Sequence, residues 1–200
     1  MNLRRLSSGF AVLVAAVALV ACGSDTSTGI SASVSQVKSP DPRTAELTLD
    51  VVNKANSTLQ ELTGASLDKI EAGKILINAT GNMTIDALDP AKPTEYNQYT
   101  AYWDGRTNVR PYDYGGEENL PSLRETLFAA DAVSAQTLVD VWKDSFERVK
   151  GERSELHVSM GPTVARADDT GPIEISIVNG TDRDRQTVYY DADGKFLRVK

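Results

Sequence analysis

The first 22 residues constrain the chain most, because they end in its only cysteine. Arg4 and Arg5 precede an unbroken apolar run from Phe10 to Ala21, and Cys22 follows directly. A stable transmembrane helix needs about 20 apolar residues, so this shorter run predicts an export signal rather than a permanent span. A single cysteine allows no internal disulfide, and a lone free thiol in an exported protein needs a special explanation.

The residues at the end of this signal resemble a known processing site. Leu19-Val20-Ala21-Cys22 is similar to the lipobox of bacterial lipoproteins. The resemblance implies that residues 1–21 are removed as a signal peptide and that Cys22 is lipidated, whereas the alternative is an ordinary secretory signal with an incidental cysteine. Two acyl chains anchor a protein stably. We therefore expect a lipid-anchored protein on the outer face of the cell membrane.

The mature part of the chain is acidic. Removing residues 1–21 removes two arginines and no acidic residue, so the formal net charge of −7 becomes −9. This charge repels nucleic acids and anionic headgroups, so we expect no nucleic-acid partner and assign membrane attachment to the lipid alone. Residues 22–40 are rich in Ser, Thr, Gly, Ala and Val, a composition that predicts a flexible tether.

After the tether, the hydrophobic period indicates a helix followed by strands. Asp41-Pro42 is typical of a helix start, and apolar residues recur at helical spacing from Leu47 to Leu62. From Lys74 to Ile85 the period becomes two, which predicts one long, bulged strand. Farther on, Glu95–Trp103 and Arg106–Tyr112 predict a hairpin around Asp104-Gly105, the strongest short hairpin signal.

The same order of elements then begins again. Ser122 and Glu125 match a capping box and predict a short helix through Phe128. Ser134 is the expected cap of a longer amphipathic helix that extends to Val149. Period-two patterns in the remainder predict strands in Leu156–Met160, Ile173–Ile177, Val188–Tyr190 and Phe196–Val199.

These patterns predict an α+β fold with helices on one face of an antiparallel sheet. Two related helix-helix-sheet halves, 41–118 and 119–200, are indicated because Tyr99–Arg106 resembles Gln186–Asp191 followed by Gly194-Lys195. A chance similarity of two hairpins is the alternative. By pattern alone, residues 41–200 resemble tandem β-lactamase-inhibitory-protein and PepSY-like domains. The lipid-carrying envelope lipoproteins of actinobacteria are similar too, but their half-barrel needs a longer run of strands.

Groups suited to catalysis or metal binding are sparse in the sequence. His157 is the only histidine and Cys22 is assigned to the lipid, so no nucleophile and base form a pair. Asp191-x-Asp193 lacks the further ligands of a calcium loop, and no glycine-rich phosphate loop follows a strand. We expect neither an enzyme nor a protein with a metal or cofactor.

Aromatic residues are the one feature that indicates binding, because Tyr and Trp are enriched in interface hot spots. Six of them occur between residues 96 and 114. The binding candidates among them are Tyr99, Trp103, Tyr112 and Tyr114, and the simpler interpretation is that they support the sheet.

The sequence thus predicts a non-catalytic binding or interaction module at the cell envelope, with a protein as its partner. The alternative is a lipid or small-molecule carrier. It would need an apolar cavity between sheet and helices, lined by groups such as Leu59, Ile77, Trp142 and Phe146.

Overall fold

The computed structural model describes residues 46–160, 171–180 and 183–200. The signal peptide, Cys22 and the tether lie outside these residues. The described residues all fall within one compact unit, Lys38–Lys200.

The first helix, α1 (Leu49–Thr63), begins later than predicted. Thr48 is its N-cap, and the Thr48 hydroxyl accepts a hydrogen bond from the Val51 N–H at 3.4 Å. Leu47 therefore lies outside the helix, where it is buried in the core. Gly64 ends the helix in the left-handed conformation (φ 68°), which glycine adopts at little cost.

The segment from Lys74 to Ile85 forms two strands, so the prediction of one long strand is wrong. Strand β1 is Glu71–Ile77 and strand β2 is Met83–Asp89, and they pair antiparallel. The Asn78 side-chain oxygen accepts hydrogen bonds from backbone N–H groups two and four residues ahead, at 3.1 and 3.3 Å. With Gly81 at φ 89°, this closes a tight turn.

The hairpin predicted around Asp104-Gly105 is confirmed. Strand β3 is Lys92–Ala101 and strand β4 is Thr107–Pro111. In the turn between them, the Tyr102 N–H donates to the Arg106 carbonyl and the Gly105 N–H to the Tyr102 carbonyl, both at 2.9 Å.

Two helices and a short strand follow. Helix α2 (Leu120–Arg124) starts before Ser122, and its N-cap makes no side-chain hydrogen bond, so the predicted capping box does not form. Strand β5 is Phe128–Ala129. Helix α3 (Ala135–Arg148) begins after Ser134 as predicted, and the Ser134 hydroxyl accepts from the N–H three residues ahead at 3.0 Å.

The four strands predicted in the remainder of the chain are confirmed. They are β6 (Glu152–Met160), β7 (Ile173–Gly180), β8 (Gln186–Asp191) and β9 (Phe196–Val199). Between β8 and β9, the Asp191 N–H donates to the Lys195 carbonyl at 3.0 Å.

All strand pairs in the sheet are antiparallel, and the described residues form an α+β fold of three helices and nine strands. The strand order is β4-β3-β2-β1-β6-β7-β8-β9, and β5 pairs with β1 beside this path. The pairing of β1 with β6 joins the first four strands to the last four.

The main core combines α1, α3 and alternate residues of the strands. Ile75 pairs with Ile85 on β2 and with Val158 on β6, and all three are buried. Trp142 on α3 is fully buried. Burying each such apolar side chain contributes about 1.5–3 kcal/mol. The fully buried large residues include Leu47, Leu59, Ile77, Leu156, Ile175, Ile177 and Tyr190.

An ion pair fixes the point where the described chain enters the fold. The Arg153 side chain is only 6% exposed, and its guanidinium lies 2.9 Å from the Glu46 carboxylate. It also donates to the Trp142 carbonyl at 3.2 Å and lies 5.0 Å from the ring centroids of Trp142 and Phe146. The beginning of the described chain is therefore attached to α3 and β6.

Candidate functional site

Tyr99, one of the four predicted binding residues, lies in the main core. Its side chain is 3% exposed. Its hydroxyl accepts a hydrogen bond from the Asn97 amide at 3.4 Å, and burial raises the pKa of this hydroxyl. In this position Tyr99 packs within the fold and offers no open surface.

Tyr96 is also buried but lies outside the main core, on the other face of β3. Two aromatic rings meet it edge-on: Tyr112 at a centroid distance of 5.6 Å and Tyr114 at 6.3 Å. The Tyr96 hydroxyl donates to the Asp86 carbonyl at 3.2 Å, and burial raises its pKa far above the ordinary value of 10.0. Tyr96 is therefore the support of a small aromatic cluster.

The side of this cluster away from Tyr96 faces solvent. Tyr112 is 45% exposed, and its backbone N–H is bonded to the Tyr96 carbonyl at 2.8 Å. The Tyr114 hydroxyl donates to the Thr94 carbonyl at 2.8 Å. Because both residues are held by hydrogen bonds and ring contacts, Tyr112 presents its ring in a fixed position, with little entropy left to lose on binding.

Trp103 lies at the other end of the β3–β4 ladder from Tyr112. Its backbone N–H donates to the Asn82 side chain at 3.0 Å, and its carbonyl accepts from the Lys54 ammonium at 3.1 Å. Its half-buried side chain lines a cavity of about 100 Å³ beside α1. The structure thus brings together Tyr112 and Tyr114, and places Tyr99 and Trp103 elsewhere.

Strand β4 is exposed along its whole length and forms one end of the strand order. The N–H groups of Tyr112 and Tyr102 point toward their partners across the hairpin. By alternation, the backbone nitrogens of residues 107, 109 and 111 face outward. Residue 111 is proline, which has no N–H to donate, so a further strand could not form a continuous ladder here.

Val109 is the group at this edge that sequence reasoning missed. Its side chain is 45% exposed on β4. The sequence alternation shows only that Val109 belongs to a strand. Its exposure depends on the position of β4 at the end of the sheet, which follows from long-range strand pairing. Val109 on β4 and Tyr112 directly after it are both exposed at this edge, and we call them the β4 pair. Val109 is opposite Tyr99 whereas the Tyr112 ring packs on Tyr96, so the two side chains lie on opposite faces of the sheet.

His157 occupies the middle of the sheet, where its Nε2 lies 3.9 Å from the Glu155 carboxylate. It lies opposite Leu76 on β1 and Ser176 on β7. Partial burial, with a smaller effect of Lys74, lowers the pKa of His157 below its ordinary value of 6.5. The described part of the chain also holds no group of three or more metal-ligating side chains.

Comparisons with known proteins give no relative. No protein-family model matches the chain, and no curated protein or solved structure is significantly similar to it. Within the described ranges, no helix is both long and apolar enough to cross a membrane.

The different roles of Tyr96 and Tyr112 can be separated by substitution. We expect Tyr96→Ala to lower the free energy of unfolding by about 3–5 kcal/mol, the usual cost of truncating a buried aromatic side chain. Tyr112→Ala should cost less than about 1 kcal/mol, because its ring is at the surface. Urea unfolding followed by circular dichroism measures both values. Equal losses of unfolding free energy in the two variants would contradict the assignment of Tyr112 to the surface and of Tyr96 to the support beneath it.

Proposed function

We propose that this protein is a lipid-anchored lipoprotein of the outer face of the cell membrane, where it acts as a non-catalytic module that binds a protein partner. The lipobox-like residues 19–22, the short apolar run before them and the single cysteine support the anchor at Cys22. In this proposal, residues 1–21 are the signal peptide and residues 22–40 the tether.

The entry of the chain into the fold supports this arrangement. Leu47 is buried, and Glu46 pairs with Arg153, only a few residues beyond the proposed tether. A force on a tether attached here would act on α3 and β6, to which the start of the domain is bonded, rather than on a loose chain end. The domain would then be held at a defined point above the membrane.

We further infer that the two main helices cover the same face of the sheet and that the chain consists of two related halves, 41–118 and 119–200. The strand order supports the two related halves, since β4-β3-β2-β1 is mirrored by β6-β7-β8-β9. Each group of four strands also follows one capped helix, α1 or α3.

The two hairpin turns add support for related halves. In each, an N–H donates to the carbonyl four residues ahead, and a glycine follows an aspartate: Asp104-Gly105 and Asp193-Gly194. The glycines have φ angles of 87° and 82°. The turn geometry therefore matches Asp104 with Asp193. The sequence comparison of the two aromatic strands matches Asp104 with Asp191 instead, so the two alignments differ by two residues.

The β4 pair is the surface that we assign to the partner, and the exposed, fixed ring of Tyr112 carries this assignment. Interface hot spots are typically aromatic groups that are rigid before binding. Since Pro111 interrupts the outward donors of β4, we expect side chains rather than added strand pairing to supply most of the contact.

The interior favours a binding module over the carrier alternative. Leu59, Ile77 and Trp142, which would line a carrier's cavity, are fully buried against other residues, and Phe146 is at the surface with 36% exposure. None of these four residues lines the cavity of about 100 Å³ beside Trp103 or the cavity of about 150 Å³ between α1, α3 and the sheet. A lipid would have to displace them in order to bind there.

The anchor can be tested on the protein purified from the cells that produce it. We expect the mature chain to begin at Cys22 and to carry two or more acyl chains, and Cys22→Ser to release the protein from the membrane. Mass spectrometry of the amino terminus measures this. A mature terminus elsewhere, or an unmodified cysteine, would refute the anchor.

The partner surface can be tested in the same cells with a photo-crosslinking amino acid placed at position 109 of the full chain. We expect a discrete protein adduct, because a partner that covers the β4 edge of the sheet would contact Val109 on one face and the fixed ring of Tyr112 on the other. Adding Tyr112→Ala should reduce the adduct about tenfold or more, as for a hot-spot residue worth at least about 2 kcal/mol.

Leu197 provides the matched control for this experiment. It is an exposed apolar residue on β9, at the other end of the strand order. A crosslinker at position 197 should give no such adduct, and Leu197→Ala should leave the adduct at position 109 unchanged. Equal adducts from both positions would show that β4 has no special role.

A further inference from the structure

We propose that a cavity between α1, α3 and the centre of the sheet binds a small amphiphile, a molecule with an apolar end of about six carbons and a neutral or cationic polar head. This site is separate from the β4 pair and does not depend on the proposed protein partner. The cavity has a volume of about 150 Å³.

The floor of the cavity lies where β1 meets β6. Ile75 and Val158 are paired across these two strands, and Ile85 and Met83 of β2 extend the floor. Leu138 of α3 forms part of the wall. All five side chains are apolar and buried, so water inside the cavity would find few hydrogen-bond partners.

Such a lining determines the apolar end of the ligand. An enclosed apolar cavity of about the same volume accepts a benzene-sized molecule. A six-carbon group has a similar size, whereas a complete lipid does not fit. Methionine at position 83 can adapt its shape to the occupant, because its side chain is unbranched and flexible.

The mouth of the cavity determines the polar head. Asn56 of α1 is half-buried there, and its amide makes no hydrogen bond to any described residue. Ser134 is already engaged in capping α3. Asn56 is therefore the group available to bind a hydroxyl or an amine, and the nearby exposed carboxylate of Asp131 opposes an anionic head.

The inference can be tested with two probes of equal chain length, 1-hexanol and hexanoate. The protein is residues 38–200, the compact unit that contains every described helix and strand. Methyl NMR spectra report on Ile75, Ile85 and Met83. We expect saturable shifts at these methyl groups with 1-hexanol, and binding of hexanoate about tenfold weaker, because its carboxylate would be repelled by the carboxylate of Asp131.

Two substitutions with one matched control locate the site. Ala135→Leu adds a side chain at the mouth and should weaken 1-hexanol binding about tenfold or more, whereas Gln136→Leu adds the same side chain at the next, exposed position and should have no effect. Asp131→Asn, at an exposed position, should bring the dissociation constants of the two probes to within about threefold, since the opposing charge is removed.

Several results would overturn the inference. These are an absence of saturable shifts at the cavity methyl groups, equal binding of 1-hexanol and hexanoate to the unmodified protein, or equal weakening by Ala135→Leu and Gln136→Leu. Melting temperatures of the two leucine variants show whether a loss of binding reflects unfolding, and Asp131→Asn tests the charge effect in a variant whose core is untouched.

Discussion

The rest of the structure depends on the pairing of β1 with β6. These strands are far apart in sequence, and four residue pairs join them, from Lys74 opposite Ser159 to Ile77 opposite Leu156. Without this ladder, the sheet would divide into a five-stranded part, β1 to β5, and a four-stranded part, β6 to β9, each with a new open edge. With it, one strand order and one main core extend across the described domain.

The register of this ladder also determines which side chains face each side of the sheet. Ile75 and Ile77 meet Val158 and Leu156, so apolar residues continue from one group of strands into the other. The opposite side is mixed, because Leu76 faces it next to His157 and Tyr96 is buried there. It also carries polar contacts: Gln98 donates to Asp86 at 2.7 Å among the first strands, and Arg198 binds Glu174 through two contacts of 2.8 and 2.7 Å among the last. A slip of one residue between β1 and β6 would exchange the two sides.

Local signals predicted much of this fold. The Ser134 cap, the apolar stripe of α3 and the Asp104-Gly105 turn act over a few residues, so they could be read directly from the sequence. The Asn78 turn could not, because the two strands beside it keep the same alternation and resemble one bulged strand. Helix α1 begins at Leu49 rather than after the predicted start at Asp41-Pro42, because Leu47 is apolar and in phase with the helix but packs in the core ahead of it.

The candidate sites were harder to predict because they depend on long-range pairing. Alternation along β3 puts Tyr96 and Tyr99 on opposite faces, but it does not tell which of them packs in the main core. The exposure of Val109 follows from the place of β4 in the strand order. The cavity is lined by residues from α1, α3, three strands and the segment before α3, and no spacing in the sequence brings these together.

Native-state hydrogen exchange on residues 38–200 tests the role of the β1–β6 ladder most directly. If the ladder joins all strands into one cooperative unit, the slowest amides of β1, β3, β6 and β7 should exchange with one common free energy, equal to that of global unfolding. If the amides of β6 and β7 exchange through a lower free energy than those of β1 and β3, or the reverse, the two groups of strands open separately, and the account is contradicted.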